Sequence, residues 1–350
     1  MLEQSLYQTY KRYRTLRSHT ISALPIAILM PHSACNCRCV MCDIWKGNKN
    51  LKQLSEEDIK GLLGSFKRLG TKQVVLSGGE ALLHPAFFSL CDFLKKQDIH
   101  LTLLSTGMTL KKHAKELVSA VDEVIVSIDG DEVTHDAIRN IQGAFAKLRE
   151  GVQSLKLINP RFRVTARCVI HKWNFRSWGQ IVDAAKSIGV DSISFLPADV
   201  SSEAFNRKER WDVDRQENVL IPAEELDELE GVIGTLLTLY AEDFKSRFIV
   251  EAPNKVRQIG HYYKAIYGLA EFPFRRCNAP WVSTVVEADG TVRPCFFHDA
   301  IGNIHQADLE SVLNGDAAKK FRRNLDVGEN ETCKRCVCSL YLPPGKKPLA

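Results

Sequence analysis

The 350-residue sequence predicts an α/β fold of parallel strands joined by crossover helices. Three observations predict it. Short apolar segments alternate with amphipathic stretches of helical length. The turn and polar motifs gather at the C-terminal ends of the strand candidates, the end at which parallel barrels build their sites. Composition is ordinary for a globular chain, 45% hydrophobic and 25% charged, and the length allows a large core and two domains.

In chain order the strands are expected at Pro25–Met30, Gln73–Ser77, His100–Ser105, Glu123–Ile128, Phe162–Ile170 and Ser192–Leu196. Helices are expected between them at Ser55–Leu69, Ala86–Lys96, Leu110–Val118, Ile138–Leu157 and Trp178–Ile188. Ser55 followed by Glu56, Glu57 and Asp58 supplies a cap and first-turn acids for the first of these. Ahead of them, Lys11, Arg12, Arg14 and Arg17 read as a solvated helix face. The apolar run Ile21 to Met30 leads straight into a cysteine-rich loop and reads as a buried strand, which argues against a signal peptide. No run approaches the length of a membrane span. A net charge of +5, spread along the chain, argues against a nucleic-acid partner. Eleven cysteines without a secretory segment suggest a reducing, cytoplasmic setting, where clustered thiols hold metal more often than they form disulfides.

The first cysteine cluster is Cys35, Cys39 and Cys42, spaced C-x3-C-x2-C. A loop of that length can bring three thiolates round one iron–sulfur cube, and no fourth cysteine stands at ferredoxin spacing. Three thiolates leave one iron open, and an open metal position is where a small molecule binds and reacts. A zinc site or a redox thiol group is the alternative reading of these residues alone. Downstream, Val74-Val75-Leu76-Ser77-Gly78-Gly79-Glu80 reads as a strand entering a Gly-Gly-Glu turn. Ser105-Thr106-Gly107, Ser127-Ile128-Asp129-Gly130 and His135-Asp136-Ala137-Ile138-Arg139 follow.

With these motifs in register, the region from roughly residue 20 to 200 resembles the radical S-adenosylmethionine (SAM) superfamily. The resemblance implies a partial (β/α)6 TIM-like barrel, a [4Fe-4S] cluster on Cys35, Cys39 and Cys42, and SAM bound at the open iron. It also implies reductive cleavage of SAM to methionine and a 5′-deoxyadenosyl radical, with electrons from a flavodoxin or ferredoxin type reductant. On that footing, Gly78 and Gly79 let backbone approach the methionine end. Glu80 offers a carboxylate to the cofactor's ammonium. Ser127 and Asp129 are placed for the ribose hydroxyls, and Arg139 for the cofactor carboxylate. Leu196 would meet adenine through backbone, and Asn174 is a further polar rim candidate.

The C-terminal part carries Cys277, Gly290 and Cys295 in the pattern C-x12-G-x4-C, followed by Cys333, Cys336 and Cys338. Asp289-Gly290 reads as a hairpin turn folding Cys277 and Cys295 towards each other. The pattern is similar to the SPASM/twitch group of radical SAM enzymes, closer to the shortened twitch form. This implies a second [4Fe-4S] cluster on Cys277, Cys295, Cys333 and Cys336. A zinc knuckle suits the C-x2-C spacing equally. Cys338 reads as a spare thiol or an alternative fourth ligand. Cys91 and Cys168 read as core thiols, Cys37 as incidental to the loop, and His32 as structural or solvent-facing.

The expected domains are an N-terminal extension (1–20), the barrel (21–200), a bridging segment (201–265) and the auxiliary-cluster part (266–350). Tyr262 and Tyr263 are candidates for a pocket or for aromatic packing, and the tail from Leu342 to Lys347 reads as loose. The expected function is hydrogen abstraction from a small polar metabolite, a sugar or alcohol undergoing dehydrogenation, decarboxylation or rearrangement. The alternative is a thioether or carbon–carbon crosslink or an epimerisation in a ribosomally made precursor peptide. Only about thirty residues precede Cys35, too few for a peptide-recognition domain, which ranks the peptide second. A non-catalytic metal-binding protein is the remote alternative.

Overall fold

The computed structural model describes residues 6–204, 207, 209–274 and 276–348. Residues 1–5 of the expected N-terminal extension, 205, 206 and 208 of the bridging segment, and 275, 349 and 350 of the auxiliary part lie outside the described residues. The first half alternates as expected: α1 (Leu6–Ser18), β1 (Ile26–His32), α2 (Glu56–Leu69), β2 (Gln73–Gly78), α3 (Phe87–Lys95), β3 (His100–Ser105), α4 (Leu110–Ala120), β4 (Glu123–Ser127), α5 (Glu132–Arg139), α6 (Ala144–Ile158), β5 (Arg163–Ile170), α7 (Trp178–Ile188) and β6 (Ser192–Pro197). The second half adds α8 (Val213–Glu217), α9 (Leu226–Leu239), α10 (Ala241–Lys245), α11 (Pro253–Ile266), α12 (Ala279–Val282), β7 (Ser283–Val286), β8 (Thr291–Arg293), β9 (Gly302–Asn303), α13 (Leu309–Asn314), α14 (Asp316–Asn324) and α15 (Glu331–Lys334).

Local chemistry sets several boundaries. Ser55 caps α2, with Asp58 returning the bond as a capping box, and Gly70 ends the helix in a left-handed conformation. The single helix expected over Ile138–Leu157 is two helices. Asn140 closes α5 at φ 52° and Gly143 opens α6 at φ 74°, while the Asp136 carboxylate accepts from the Gly143 and Phe145 amides. An Asn and a Gly relieve the left-handed turn that an uninterrupted apolar pattern conceals.

One nine-stranded sheet runs in the order β6-β5-β4-β3-β2-β1-β7-β8-β9. β1 to β6 are mutually parallel, so their C-terminal ends form one rim. The C-terminal part extends this sheet: β7 pairs parallel with β1, Ile26 opposite Ser283 through Leu29 opposite Val286. β1 is therefore covered on both faces. Ala27 and Leu29 enter the main core, while Ile26 and Ile28 pack with Trp281, Val285 and Leu342 in a second one. The β7–β8 hairpin turns at Gly290, at φ 80°, as its Asp-Gly sequence predicts.

Two expectations are corrected at the chain ends. Arg12 is buried, not solvated, and its guanidinium donates to the carbonyls of Leu342 (3.1 Å), Pro343 (2.7 Å) and Lys346. The tail is accordingly held, with Leu342 in the second core, because α1 presents a cation that donates to its carbonyls. Tyr262 and Tyr263 are packing residues: both are fully buried, and their hydroxyls donate to Ala198 and Ile170 carbonyls. Among the described residues no helix is long and apolar enough to cross a membrane.

Candidate active site

β1 ends at His32, whose Nδ1 accepts from the Ala34 amide at 2.9 Å and starts the cysteine loop, the structural role expected for it. The loop is braced from several directions. Asn48 exchanges two 2.9 Å hydrogen bonds with the Cys35 backbone, and the Arg38 and Val40 amides donate to the carbonyls of Arg139 and Ile138 at the end of α5. Trp45 Nε1 donates to the Cys42 carbonyl at 2.9 Å. From β2, Gly79 lies so close that a Cβ there would meet the Ala34 oxygen at 2.1 Å, and the Glu80 amide donates to that oxygen at 2.8 Å. The close approach expected at the cofactor is here, at least for Gly79, an approach to the cysteine loop itself. Gly78 sits at φ 112°, which only glycine adopts without strain.

The polar candidates meet at this rim but serve one another. Glu80 is wholly buried, and its carboxylate accepts from Leu82 N (3.3 Å), Ser105 Oγ (3.0 Å), Thr106 N (2.8 Å) and Thr106 Oγ1 (2.7 Å). Burial pushes its carboxyl upward against these hydrogen bonds. Arg139 Nε donates to Asp129 Oδ2 at 2.5 Å, and its other arm reaches Cys39 Sγ at 3.5 Å. Asp129 is also wholly buried, with Oδ1 unpartnered, and burial pushes its carboxyl up against the pull of Arg139. Asn174 is buried and joins the ends of β4 and β5, donating to the Asp129 and Val169 carbonyls. Ser127 closes β4 opposite Arg167 of β5, and Leu196 lies on β6 opposite Val169.

The loop thiols are not equivalent. A hydrogen bond with Cys37 lowers Cys39 to about 7, helped by Arg139. Burial raises Cys35 to about 11 and Cys42 to about 12. Cys37, expected to be incidental, is buried against Cys39 instead, a contact that loop spacing alone does not reveal. Cys91 and Cys168 are core thiols, as expected.

The second cysteine region is assembled by long-range contacts. Asn278, next to Cys277, exchanges 2.9 Å hydrogen bonds with Leu342 and binds the Leu340 carbonyl through its amide. This draws the segment after Cys336 back onto Cys277. His298 Nε2 lies 3.3 Å from Cys333 Sγ and packs edge-on against Phe321. Burial and the neighbouring Cys277 thiol raise Cys295 to about 11; burial and the Cys295 and Cys277 thiols raise Cys333 to about 12. Cys336 faces the same neighbours, and Cys338, beside it, is exposed.

All these thiols are free, and among the described residues no three His, Cys, Asp or Glu are already gathered for a single metal ion. The donor set itself fits iron–sulfur clusters: three thiols on one loop, four from the C-terminal segments, and beside the loop a buried carboxylate oxygen with no protein partner.

The sequence was also compared with known proteins. Residues 29–193 match the family described as the radical SAM superfamily, and residues 277–337 match SPASM, an iron–sulfur cluster-binding domain. The chain is 22% identical to the antilisterial bacteriocin subtilosin biosynthesis protein AlbA of Bacillus subtilis, over 87% of its own length and 62% of AlbA's. It is 24% identical to the sporulation killing factor maturation protein SkfB of the same organism, over 91% of its length and 70% of SkfB's. Its fold matches Streptococcus suis SuiB, solved bound to the precursor peptide SuiA, with a TM-score of 0.64 at 15% identity, covering 97% of this chain and 79% of SuiB. The chain thus spans less than two thirds of AlbA. Motifs, parallel sheet and both family matches coincide along the sequence, and the chain belongs to the radical SAM superfamily of iron–sulfur enzymes, with a SPASM region towards its C-terminal end.

Proposed function

We propose that this chain modifies a ribosomally made peptide by radical SAM chemistry, forming a thioether or carbon–carbon crosslink or epimerising a residue. The observation that carries this reading is similarity over 87% and 91% of the chain to two proteins named for antilisterial bacteriocin biosynthesis and for sporulation killing factor maturation. Sequence reasoning placed a small polar metabolite first; this similarity reverses that order.

When bound, the cluster and SAM would supply the radical chemistry that removes hydrogen from carbon. The chain's residues would bind and orient. Cys35, Cys39 and Cys42 would hold the first [4Fe-4S] cluster, with Arg139 donating to the Cys39 sulfur. Gly78 and Gly79 would bring the β2 turn against the loop. Glu80, whose oxygens are engaged by Ser105 and Thr106, would act on SAM chiefly by fixing the β3 end. Asp129 Oδ1 would be the acceptor for a ribose hydroxyl, with Ser127, at the end of β4, as the second candidate. Arg139, already committed to Asp129, would orient that carboxylate. Cys277, Cys295, Cys333 and Cys336 would hold an auxiliary [4Fe-4S] cluster able to accept an electron from the substrate.

The test is an anaerobic incubation of reconstituted protein, SAM and reductant with candidate precursor peptides, and separately with free sugars and alcohols. A mass change in a peptide supports the proposal. Turnover of a sugar or alcohol alone restores the small-metabolite reading. Failure to form 5′-deoxyadenosine under any condition overturns both.

A further inference from the structure

Beyond β6, residues on the way to α8 touch both the end of β6 and the loop that follows β1. Ala198 is held at both backbone groups by Tyr262 and Tyr263. Asp199 then pairs with the buried Arg207 at 2.8 Å. The Arg207 guanidinium lies 3.9 Å from the Trp211 ring centre, and that of Arg215 lies 4.4 Å from it. Pressed by both cations, the indole donates from Nε1 to Asp43 Oδ2 at 2.8 Å. Asp43 directly follows Cys42, and its other oxygen takes Lys46 at 2.9 Å and Arg215 at 3.5 Å. The chain then returns to the end of β5, where Lys172 N donates to the Val219 carbonyl and Trp173 Nε1 to that of Asn218.

Sheet order gives this route its meaning. β6 is an edge strand, and β1 lies at the far side of the six parallel strands. Ala198, just past the last parallel strand, and Trp211, bonded to the loop that follows the first, therefore mark contacts at opposite sides of these six strands. The fastening at that loop combines a buried, charge-assisted hydrogen bond between groups 168 residues apart with the ion pair from Arg215 to the same carboxylate.

We propose that Trp211 is a positioning residue: through Asp43 it ties the start of α8 to the cysteine loop at Cys42. Loosening this tie then alters the surroundings of the third thiolate without touching a ligand. The proposal rests on the reading of Cys42 as a cluster ligand.

The test uses anaerobically reconstituted holoenzyme as wild type, Trp211→Phe and Asp43→Asn. Trp211→Phe keeps a ring between the two arginines and removes only the N–H donor. Asp43→Asn keeps an acceptor for the indole and loses the charge facing Lys46 and Arg215. Hydrogen-exchange mass spectrometry follows residues 36–46 and 211–218, and electron paramagnetic resonance follows the reduced cluster with SAM. Trp211→Phe is expected to hold wild-type iron and sulfide, exchange several-fold faster in both segments and show a changed cluster spectrum, with Asp43→Asn intermediate. Faster exchange confined to 211–218, or an unchanged spectrum, overturns the proposal. Should Trp211→Phe lose its cluster, Asp43→Asn decides by the same two readouts. Iron and sulfide counts of wild type and Cys42→Ala report separately whether the loop holds a cluster, so failure of that reading is distinguishable from failure of the tie.

Discussion

Cys35, Cys39 and Cys42 lie on one loop within residues 35–42, whereas Cys277, Cys295, Cys333 and Cys336 come from separate segments across residues 277–336. The first group has its spacing built into the chain, and the fold supplies its environment. Arg139 and the buried Cys37 reach Cys39, α5 carbonyls take the loop amides, and Trp211 holds Asp43. The second group has its environment nearby but its spacing supplied by the fold. The β7–β8 hairpin turns the chain between Cys277 and Cys295, and Asn278 draws the tail back. The first centre is therefore vulnerable to electrostatic change around it, and the second to any loosening that lets its segments part.

The sharpest division comes from removing one proposed ligand from each group of cysteines. Cys39→Ala and Cys333→Ala should each lower iron from about eight to about four per chain, as for loss of one of two cubes. Only Cys39→Ala should abolish 5′-deoxyadenosine formation in a SAM cleavage assay. Equal loss of cleavage in both variants would break the comparison.

Arg139→Met comes next. It leaves the fully buried Asp129 without its cation, and removal of one partner of such a pair costs about 3–5 kcal/mol. Urea unfolding should show this, and adding Asp129→Asn should recover part of it. The counterpart at the second centre is Asn278→Ala, which removes two side-chain hydrogen bonds to the tail and should cost about 1–3 kcal/mol. Its distinguishing sign is faster iron loss to a chelator with SAM cleavage retained.

Two glycines sharpen the contrast at similar magnitude. Gly79→Ala drives a Cβ into the Ala34 backbone and should cost about 1–3 kcal/mol while weakening the first cluster. Gly290→Ala strains a turn at φ 80° and should cost about 1–2 kcal/mol while weakening only the second. Thermal unfolding and iron counts together check both.

The smallest effect is a pH slope on the barrel side. Burial, with Arg139 adding to it, lowers His171 from 6.5 to about 3. The folded state keeps the imidazole neutral, whereas the unfolded chain binds a proton below about pH 6.5. The contribution of His171 is complete above that pH and is lost as pH falls towards 3, at about 1.4 kcal/mol per unit. Urea midpoints between pH 7 and 5 should fall less steeply in His171→Gln than in wild type.

Strand and helix positions were legible because short apolar segments alternating with amphipathic stretches need no distant information, and the boundaries of the strand His100–Ser105 and the helix Trp178–Ile188 agree with the structure. The break between α5 and α6 was hidden because Ile138 and the apolar positions of α6 continue one helical pattern across it. Arg12 looked solvated because nothing near it in sequence announces the tail carbonyls it meets. At the site, the cysteine loop, the Gly-Gly-Glu turn and Asp129 were legible as motifs. Their partners were not: the Asp129–Arg139 pair spans ten residues and the Asp43–Trp211 bond 168. Asp43 beside Cys42 was the available signal for the latter, yet it names no partner.

The sequence by itself determined the alternation of strands and helices and the thiol intervals, since both depend on covalent spacing and backbone period. Only the tertiary structure decided which polar group each buried residue answers to. That choice follows from desolvation: once Glu80, Asp129 and Arg139 leave water, each takes the partners that the packed rim places within reach.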